Sequence, residues 1–274
     1  MVDVLELAAF TTDPSGGNPA GVVLDADGIE PAQMLAIAAQ VGFSETAFLG
    51  GADGDPVRPI RYFSPRAEVP FCGHATIATA VAVAHRTGAT RLNLKTAAGP
   101  VVVEMTGASA TLTSVEPRTG LLNDDDLAAV LEVLRWTADD LDPALPPRVA
   151  FAGAWHPVIA AATRARLADL NYDFGAAAEL MAARDWTTLQ LVHRVDATTF
   201  DSRNPFPPGG IVEDPATGAA AAAFGGYLRD LGLVDPPATV TIHQGVDLGR
   251  PSVLQVGIGP AGGIRVTGSA VPIP

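Results

Sequence analysis

Three polar side chains stand where their surroundings suit them to chemistry. Glu45 lies in Gly42-Phe-Ser-Glu-Thr-Ala-Phe48, a lone acid among Phe43, Ala47 and Phe48. A carboxylate held among apolar neighbours gives up its charge more readily, so it can serve as a general base or acid near neutrality. An exposed strand glutamate fits the same composition. His74 follows Gly73 at the head of Ala75 to Ala84, a run with no charge and almost no bulk. The dipole at a helix entry disfavours imidazolium, so a neutral, hydrogen-bonding histidine is expected there; a packing or capping role is the plainer alternative. Asp214 precedes Pro215 at the head of a second small-residue run. Asp before Pro is an ordinary helix N-cap arrangement, although an N-cap carboxylate on a cleft can also orient a ligand. Glu213 beside it is the weaker candidate.

Other chemistries find little support. Cys72 is the only cysteine, so no intramolecular disulfide forms and no two-thiol mechanism is available; it reads as a buried structural residue. Lys95 is the only lysine and sits in the alternating stretch Arg91-Leu-Asn-Leu-Lys-Thr96, where it reads as solvated, which argues against Schiff-base chemistry. His85, His156, His193 and His243 show no ligand spacing, so no metal is expected. Gly257-Ile-Gly-Pro-Ala-Gly262 has dinucleotide-loop spacing, but Pro260 interrupts it and too few residues follow for a dinucleotide unit. No Walker loop, nucleophile elbow or serine triad is present. No cofactor is expected.

The elements that must carry Glu45, His74 and Asp214 are legible from hydrophobic period. Strand-like runs cover Val2–Phe10, Ala20–Leu24, Glu45–Leu49 and Arg58–Phe63, with a helix from Pro31 to Gln40. Two helices, one after Gly73 and one after Asp214, are apolar all round and therefore buried. Gly73-His-Ala-Thr and Asp214-Pro-Ala-Thr align with Ala-Thr in register, about half the chain apart. Each half also holds a Gly-, Asn- and Pro-rich loop, Gly16-Gly-Asn-Pro19 and Asn204-Pro-Phe-Pro-Pro-Gly209. The pattern implies an α+β protein of two similar lobes, each a curled sheet or barrel around one buried helix. The boundaries expected are residues 1–118, with a returning strand at 263–274, and residues 119–262. Two such helix starts facing a cleft would trap a carboxylate through N–H groups that lack intrahelical acceptors.

The bulk numbers agree with a small acidic ligand. The chain has 274 residues, 48% of them apolar, and a formal net charge of −13. That charge argues against nucleic acid, which needs clustered Lys and Arg. It leaves room for an anionic metabolite, because backbone N–H groups bind anions locally. No apolar run reaches the roughly 18 residues of a membrane span. Met1-Val-Asp-Val-Leu-Glu enters a strand directly, without a signal pattern, so a reducing, cytoplasmic setting is expected.

Six segments, in order along the chain, resemble the PhzF-like phenazine-biosynthesis isomerases, which share the diaminopimelate epimerase-like fold. They are Gly17-Asn-Pro-Ala-Gly21, Ser44-Glu-Thr-Ala-Phe48, Arg61-Tyr-Phe-Ser-Pro65, Glu68-Val-Pro-Phe-Cys-Gly-His-Ala-Thr76, Glu213-Asp-Pro-Ala-Thr-Gly218 and Gln244-Gly-Val-Asp-Leu-Gly-Arg-Pro-Ser252. The resemblance implies Glu45 as the catalytic carboxylate, with His74 and Asp214 acting on the substrate. Ser44, Gly73, Ala75, Thr217, Gly218 and Ala219 are the substrate contacts it implies. In the related epimerases a two-cysteine acid/base pair occupies the positions of Gly73 and Asp214, so Cys72 is implied to be a neighbour. The family commonly has Ser where Ala219 stands, which removes a hydroxyl and leaves room for a different acid. The resemblance implies a cofactor-independent isomerase acting by proton transfer on a small carboxylate, and it allows a homodimer. A racemase or epimerase of an amino acid, or a binding protein that has lost the chemistry, are the alternatives.

Overall fold

A computed structural model describes residues 2–274. The chain divides into two compact units, Met1–Thr113 with Thr267–Pro274, and Ser114–Val266. The first unit runs β1 (Leu5–Ala9), β2 (Asn18–Val23), α1 (Pro31–Val41), β3 (Glu45–Leu49), β4 (Arg58–Phe63), β5 (Glu68–Val69), α2 (Gly73–Thr87), β6 (Arg91–Thr96), β7 (Gly99–Thr106) and β8 (Ser109–Thr113). The second runs β9 (Arg118–Leu121), α3 (Asp124–Leu134), β10 (Arg148–Phe151), β11 (Trp155–Ala160), α4 (Arg164–Ala168), α5 (Phe174–Ala183), β12 (Gln190–Arg194), β13 (Thr199–Arg203), β14 (Pro205–Phe206), β15 (Ile211–Glu213), α6 (Gly218–Asp230), β16 (Ala238–Gln244) and β17 (Ser252–Ile258). The last strand, β18 (Arg265–Pro272), lies in the first unit from Thr267 onward. The break falls at 113/114 because Ser114 already pairs within the second unit: its N–H donates to the Ile264 carbonyl at 2.8 Å.

In the first unit the strand order is β1-β2-β3-β4-β6-β7-β8-β18, and β18 pairs back onto β1 with Leu7 opposite Pro272 and Ala9 opposite Ala270. Eight strands thus close a barrel around α2. Every residue of α2 from His74 to Val83 is buried, and past His74 all of them are apolar or threonine. The strands show the two-residue period this requires: in β6, Leu92 and Leu94 are buried while Arg91 and Lys95 are exposed. The buried Arg58 binds the chain ends around β3. Its guanidinium donates to the carbonyls of Leu24, Gly50 and Gly51 and to the Asp53 carboxylate.

The second unit orders its strands β17-β16-β13-β12-β11-β10-β9 around α6, which is buried from Ala220 to Leu228. Gly225 and Gly226 are small for a packing reason. A Cβ on Gly225 would meet Ile264 and Val256 at 2.8 Å, and one on Gly226 would meet Pro117 at 2.4 Å. The strand pairings repeat those of the first unit. β10–β11 is antiparallel like β1–β2, β11–β12 parallel like β2–β3, and β13–β16 parallel like β4–β6. The internal repeat is therefore a repeat of topology.

Two sequence expectations need correction, and one short helix adds to them. The Gly16–Pro19 segment joins the first two strands of its unit, whereas Asn204–Gly209 follows the fifth, so those segments are not equivalent. The short α4 was not foreseen, because one turn offers no period to read. Asp214 is not an N-cap: α6 begins at Gly218, Thr217 holds the N-cap position, and Pro215 lies ahead of the helix. Such a three-residue offset exceeds the usual uncertainty of helix ends.

A buried polar chain in the second unit gives the fold a pH dependence. His156, wholly inaccessible to solvent, lies with Nδ1 2.9 Å from the Thr188 hydroxyl, which donates to Asn204 Oδ1 at 2.8 Å. With the hydroxyl proton committed to Asn204, the His156 ring must carry its own proton on Nδ1. Burial lowers the His156 pKa to about 4. As pH falls below the unfolded value of about 6.5, the unfolded chain takes up a proton that the folded chain refuses, so stability falls until about pH 4. The loss is on the order of 3 kcal/mol. Denaturant unfolding at pH 7 and pH 4.5 is expected to show it, and His156→Asn, which keeps a donor near Nδ1, is expected to flatten the slope. Equal slopes in the two proteins would show that His156 is not the titrating group.

Candidate active site

Glu45 opens β3, and Cys72 and His74 open α2, so three groups from two elements converge in the first unit. The Glu45 carboxylate Oε2 lies 3.5 Å from His74 Nε2 and 3.6 Å from Cys72 Sγ. Cys72 Sγ is 3.3 Å from His74 Nδ1, and Ser44 Oγ is 3.4 Å from His74 Nε2. His74 and Cys72 are buried, and the Glu45 side chain is 17% exposed, enough to meet a small ligand. The structure thus brings Ser44, Glu45, Gly73 and His74 together. Cys72 joins them, although spacing alone presented it only as a packing residue.

The first turn of α2 is held from below. Thr76 Oγ1 donates to the Cys72 carbonyl at 2.6 Å, so the Tyr62 hydroxyl, 2.6 Å away, must donate to Thr76. Burial pushes the Tyr62 phenol well above its ordinary range, which keeps that proton in place. On the β3 side, Gly21 of β2 faces Thr46, where a Cβ would come within 2.6 Å of the threonine hydroxyl. The glycine of the Gly17–Gly21 motif therefore sets how β3 presents Glu45.

The helix starts differ from those of the peripheral helices. Asn123, Thr163 and Asp173 each accept a backbone N–H in the first turn of α3, α4 and α5. No side chain caps α2 or α6 in this way. (α1 also lacks a cap, but Pro31 removes one donor there.) The N–H groups of Gly73, His74 and Ala75 have no acceptor within α2. A Cβ added to Gly73 would meet nothing, so the space before this helix start is open. Packing does not demand glycine here.

In the second unit Asp214 is buried and accepts the Thr217 hydroxyl at 2.6 Å. Gln244, at the end of β16, fixes this segment. Its Oε1 accepts the Thr217 N–H, and its Nε2 donates to the Asp214 carbonyl and to Thr217 Oγ1. Gly245 lets the chain pass close by, since a Cβ would strike the carbonyls of Arg250 and Pro215. Gln244 went unnoticed as a site residue in sequence; its place at the head of the Gln244–Ser252 motif was the available signal. The N–H groups of Gly218 and Ala219 are the first of α6. Glu213, the weaker sequence candidate, is committed to Arg203 instead. Lys95 is exposed on β6. A cavity of about 1380 Å³ in the first unit lies at the far end of α2, lined by Val81, His85 and residues near both termini, away from Glu45. Among the described residues no helix is long and apolar enough to cross a membrane.

The two units thus share one strand topology, each built around a buried small-residue helix whose first turn no side chain caps. The family model of phenazine biosynthesis-like proteins, PhzC-PhzF, matches residues 7–273, and the chain belongs to that family. The uncharacterized isomerase YddE of Escherichia coli K12 is 34% identical over 92% of this chain and 89% of its own length. The trans-2,3-dihydro-3-hydroxyanthranilate isomerase of Pseudomonas fluorescens is 30% identical over 93% and 89%. A PhzF-family protein of Bacillus anthracis superposes with a TM-score of 0.86 at 24% identity, covering 99% of this chain and 96% of that one, which shows the shared fold. The chain is an isomerase of the PhzF-like group.

Proposed function

We propose that the chain is a cofactor-independent isomerase that shifts a proton, and with it a double bond, on a small unsaturated carboxylate. The observation that carries this reading is the uncapped first turn of α2, open in front of Gly73, with the Glu45 carboxylate at its side. The N–H groups of that turn suit the substrate carboxylate, which then activates its neighbouring carbon. Glu45 Oε2 takes the proton, leaving an anion delocalised onto the carboxylate, and returns it to a different carbon. The N–H donors stabilise charge where it develops, the kind of electrostatic help that contributes most when water is excluded. His74 hydrogen-bonds the substrate. In the second unit Asp214 is kept in place by Thr217 and Gln244, with Gly218 and Ala219 beside it at the start of α6.

The relatives support an acidic substrate, since the Pseudomonas fluorescens protein is named an isomerase of trans-2,3-dihydro-3-hydroxyanthranilate, a carboxylate. Ala219 offers a methyl group where the family commonly has a hydroxyl, so the substrate here is expected to lack the group that hydroxyl would bind. Incubation of unsaturated and amino acids with the wild type in deuterated water tests the reading. Deuterium should enter the product at the carbon that gains the proton, with a shifted double bond. Inversion of a centre without a shifted bond would make it an epimerase instead. No incorporation into any acid that binds would end the proton-transfer reading.

A further inference from the structure

We propose that Glu45, Cys72 and His74 form a site for Zn²⁺, and that its occupation stops proton transfer at Glu45. The inhibitory half rests on the role proposed above for Glu45; the binding half stands without it. The three side chains supply a carboxylate oxygen, a sulfur and an imidazole nitrogen, the donor types that zinc takes. All three ligand atoms lie within 4.8 Å of one another.

The distances suit a shared centre as well as the sulfur hydrogen bonds of Cys72 to Glu45 and to His74 Nδ1. The edges are 3.5 Å from His74 Nε2 to Glu45 Oε2, 3.6 Å from Cys72 Sγ to Glu45 Oε2 and 3.8 Å from Cys72 Sγ to His74 Nε2. A tetrahedral zinc, with Zn–S about 2.3 Å and Zn–N and Zn–O about 2.0–2.2 Å, has edges of roughly 3.4 Å between N and O and roughly 3.6 Å to sulfur. The three groups therefore need to move by only a few tenths of an ångström. At 3.5 Å the nitrogen–oxygen pair is too long for a good hydrogen bond.

Two ligands are already in place, because Thr76 and Tyr62 pin the turn that carries Cys72 and His74. A thiolate and a carboxylate balance the charge of the cation. Ser44 Oγ, 3.4 Å from His74 Nε2, or a water fills the fourth position. A metal held by Oε2 occupies the lone pair that would take the substrate proton. Sequence spacing gave no hint of this set, because Glu45 comes from a different element.

The test uses the full chain, stripped with a chelator and titrated with Zn²⁺ and with Co²⁺. One Zn²⁺ per chain is expected. The Co²⁺ form should show a thiolate-to-metal charge-transfer band that Zn²⁺ abolishes. Deuterium exchange should fall in step with occupancy and recover on chelation. Cys72→Ser and His74→Gln, with melting temperatures checked, should lose the tight equivalent, while Glu68→Gln in the exposed pair with Arg61 keeps it. Absence of saturable binding, or binding unchanged in Cys72→Ser and His74→Gln, overturns the site and leaves the role of Glu45 standing. Zinc bound through Cys72 with exchange at the metal-free rate overturns the inhibition and counts against Glu45 as the base.

Discussion

Glu45→Gln is expected to slow solvent-deuterium exchange by about 10²–10⁴-fold, the usual worth of a positioned general base. The substitution keeps the shape and most of the hydrogen-bonding capacity of the side chain, so it removes basicity with little else. Its closest polar neighbours are His74 and Cys72, at 3.5 and 3.6 Å, and among the described residues no Arg or Lys pairs with it. Because the loss arises in the transition state, kcat and kcat/KM should fall together while KM changes little. Glu68→Gln is the matched control. That carboxylate is also near α2 in sequence, but it is bound to Arg61 through both oxygens and is expected to leave the rate unchanged. If Glu45→Gln exchanges deuterium at the wild-type rate, another group is the base, and the arrangement at α2 serves binding alone.

The same residues show how far the sequence could be read. The two buried helices were legible because α2 and α6 are small and apolar on every side, and only complete burial explains that. Strands with strict alternation, such as β6, were equally plain. Two kinds of feature were hidden. One was any contact between distant segments: the Cys72–Glu45 approach joins residues 27 positions apart, and nothing in either local window announces it. The other was the true start of α6. Asp214-Pro215 reads locally as an N-cap, yet Gln244 binds the Asp214 carbonyl and the Thr217 N–H and holds the segment out of the helix for three residues more. A tertiary contact overrode a local preference there, and the Ala-Thr alignment of the two halves survives although the helices begin at different points within it.

The hidden start also separates Asp214 from Glu213, adjacent acids that sequence could rank but not assign. The Glu213 side chain is fully buried at the end of β15, where Arg203 Nε reaches both its oxygens, at 3.0 and 3.1 Å. Arg203 also donates to the Ala168 carbonyl at 2.8 Å, so the pair ties β13, β15 and α4 together immediately before Asp214. Nearby, burial and then the Glu213 charge push the Tyr172 phenol up to about 12. Glu213→Gln is expected to destabilise the fold by about 3–5 kcal/mol, because it leaves a buried guanidinium without its counter-charge. The expected drop in melting temperature is on the order of 10 °C. Replacing both partners, Arg203→Met with Glu213→Leu, should restore most of the stability, since no unpaired charge then remains. A catalytic Glu213 would behave in the opposite way, with Glu213→Gln folding normally and losing its exchange activity. Measured below its melting transition, Glu213→Gln is instead expected to keep its turnover. Normal stability together with abolished turnover would move the catalytic assignment from Glu45 toward Glu213 and require the Arg203 pair to open during reaction.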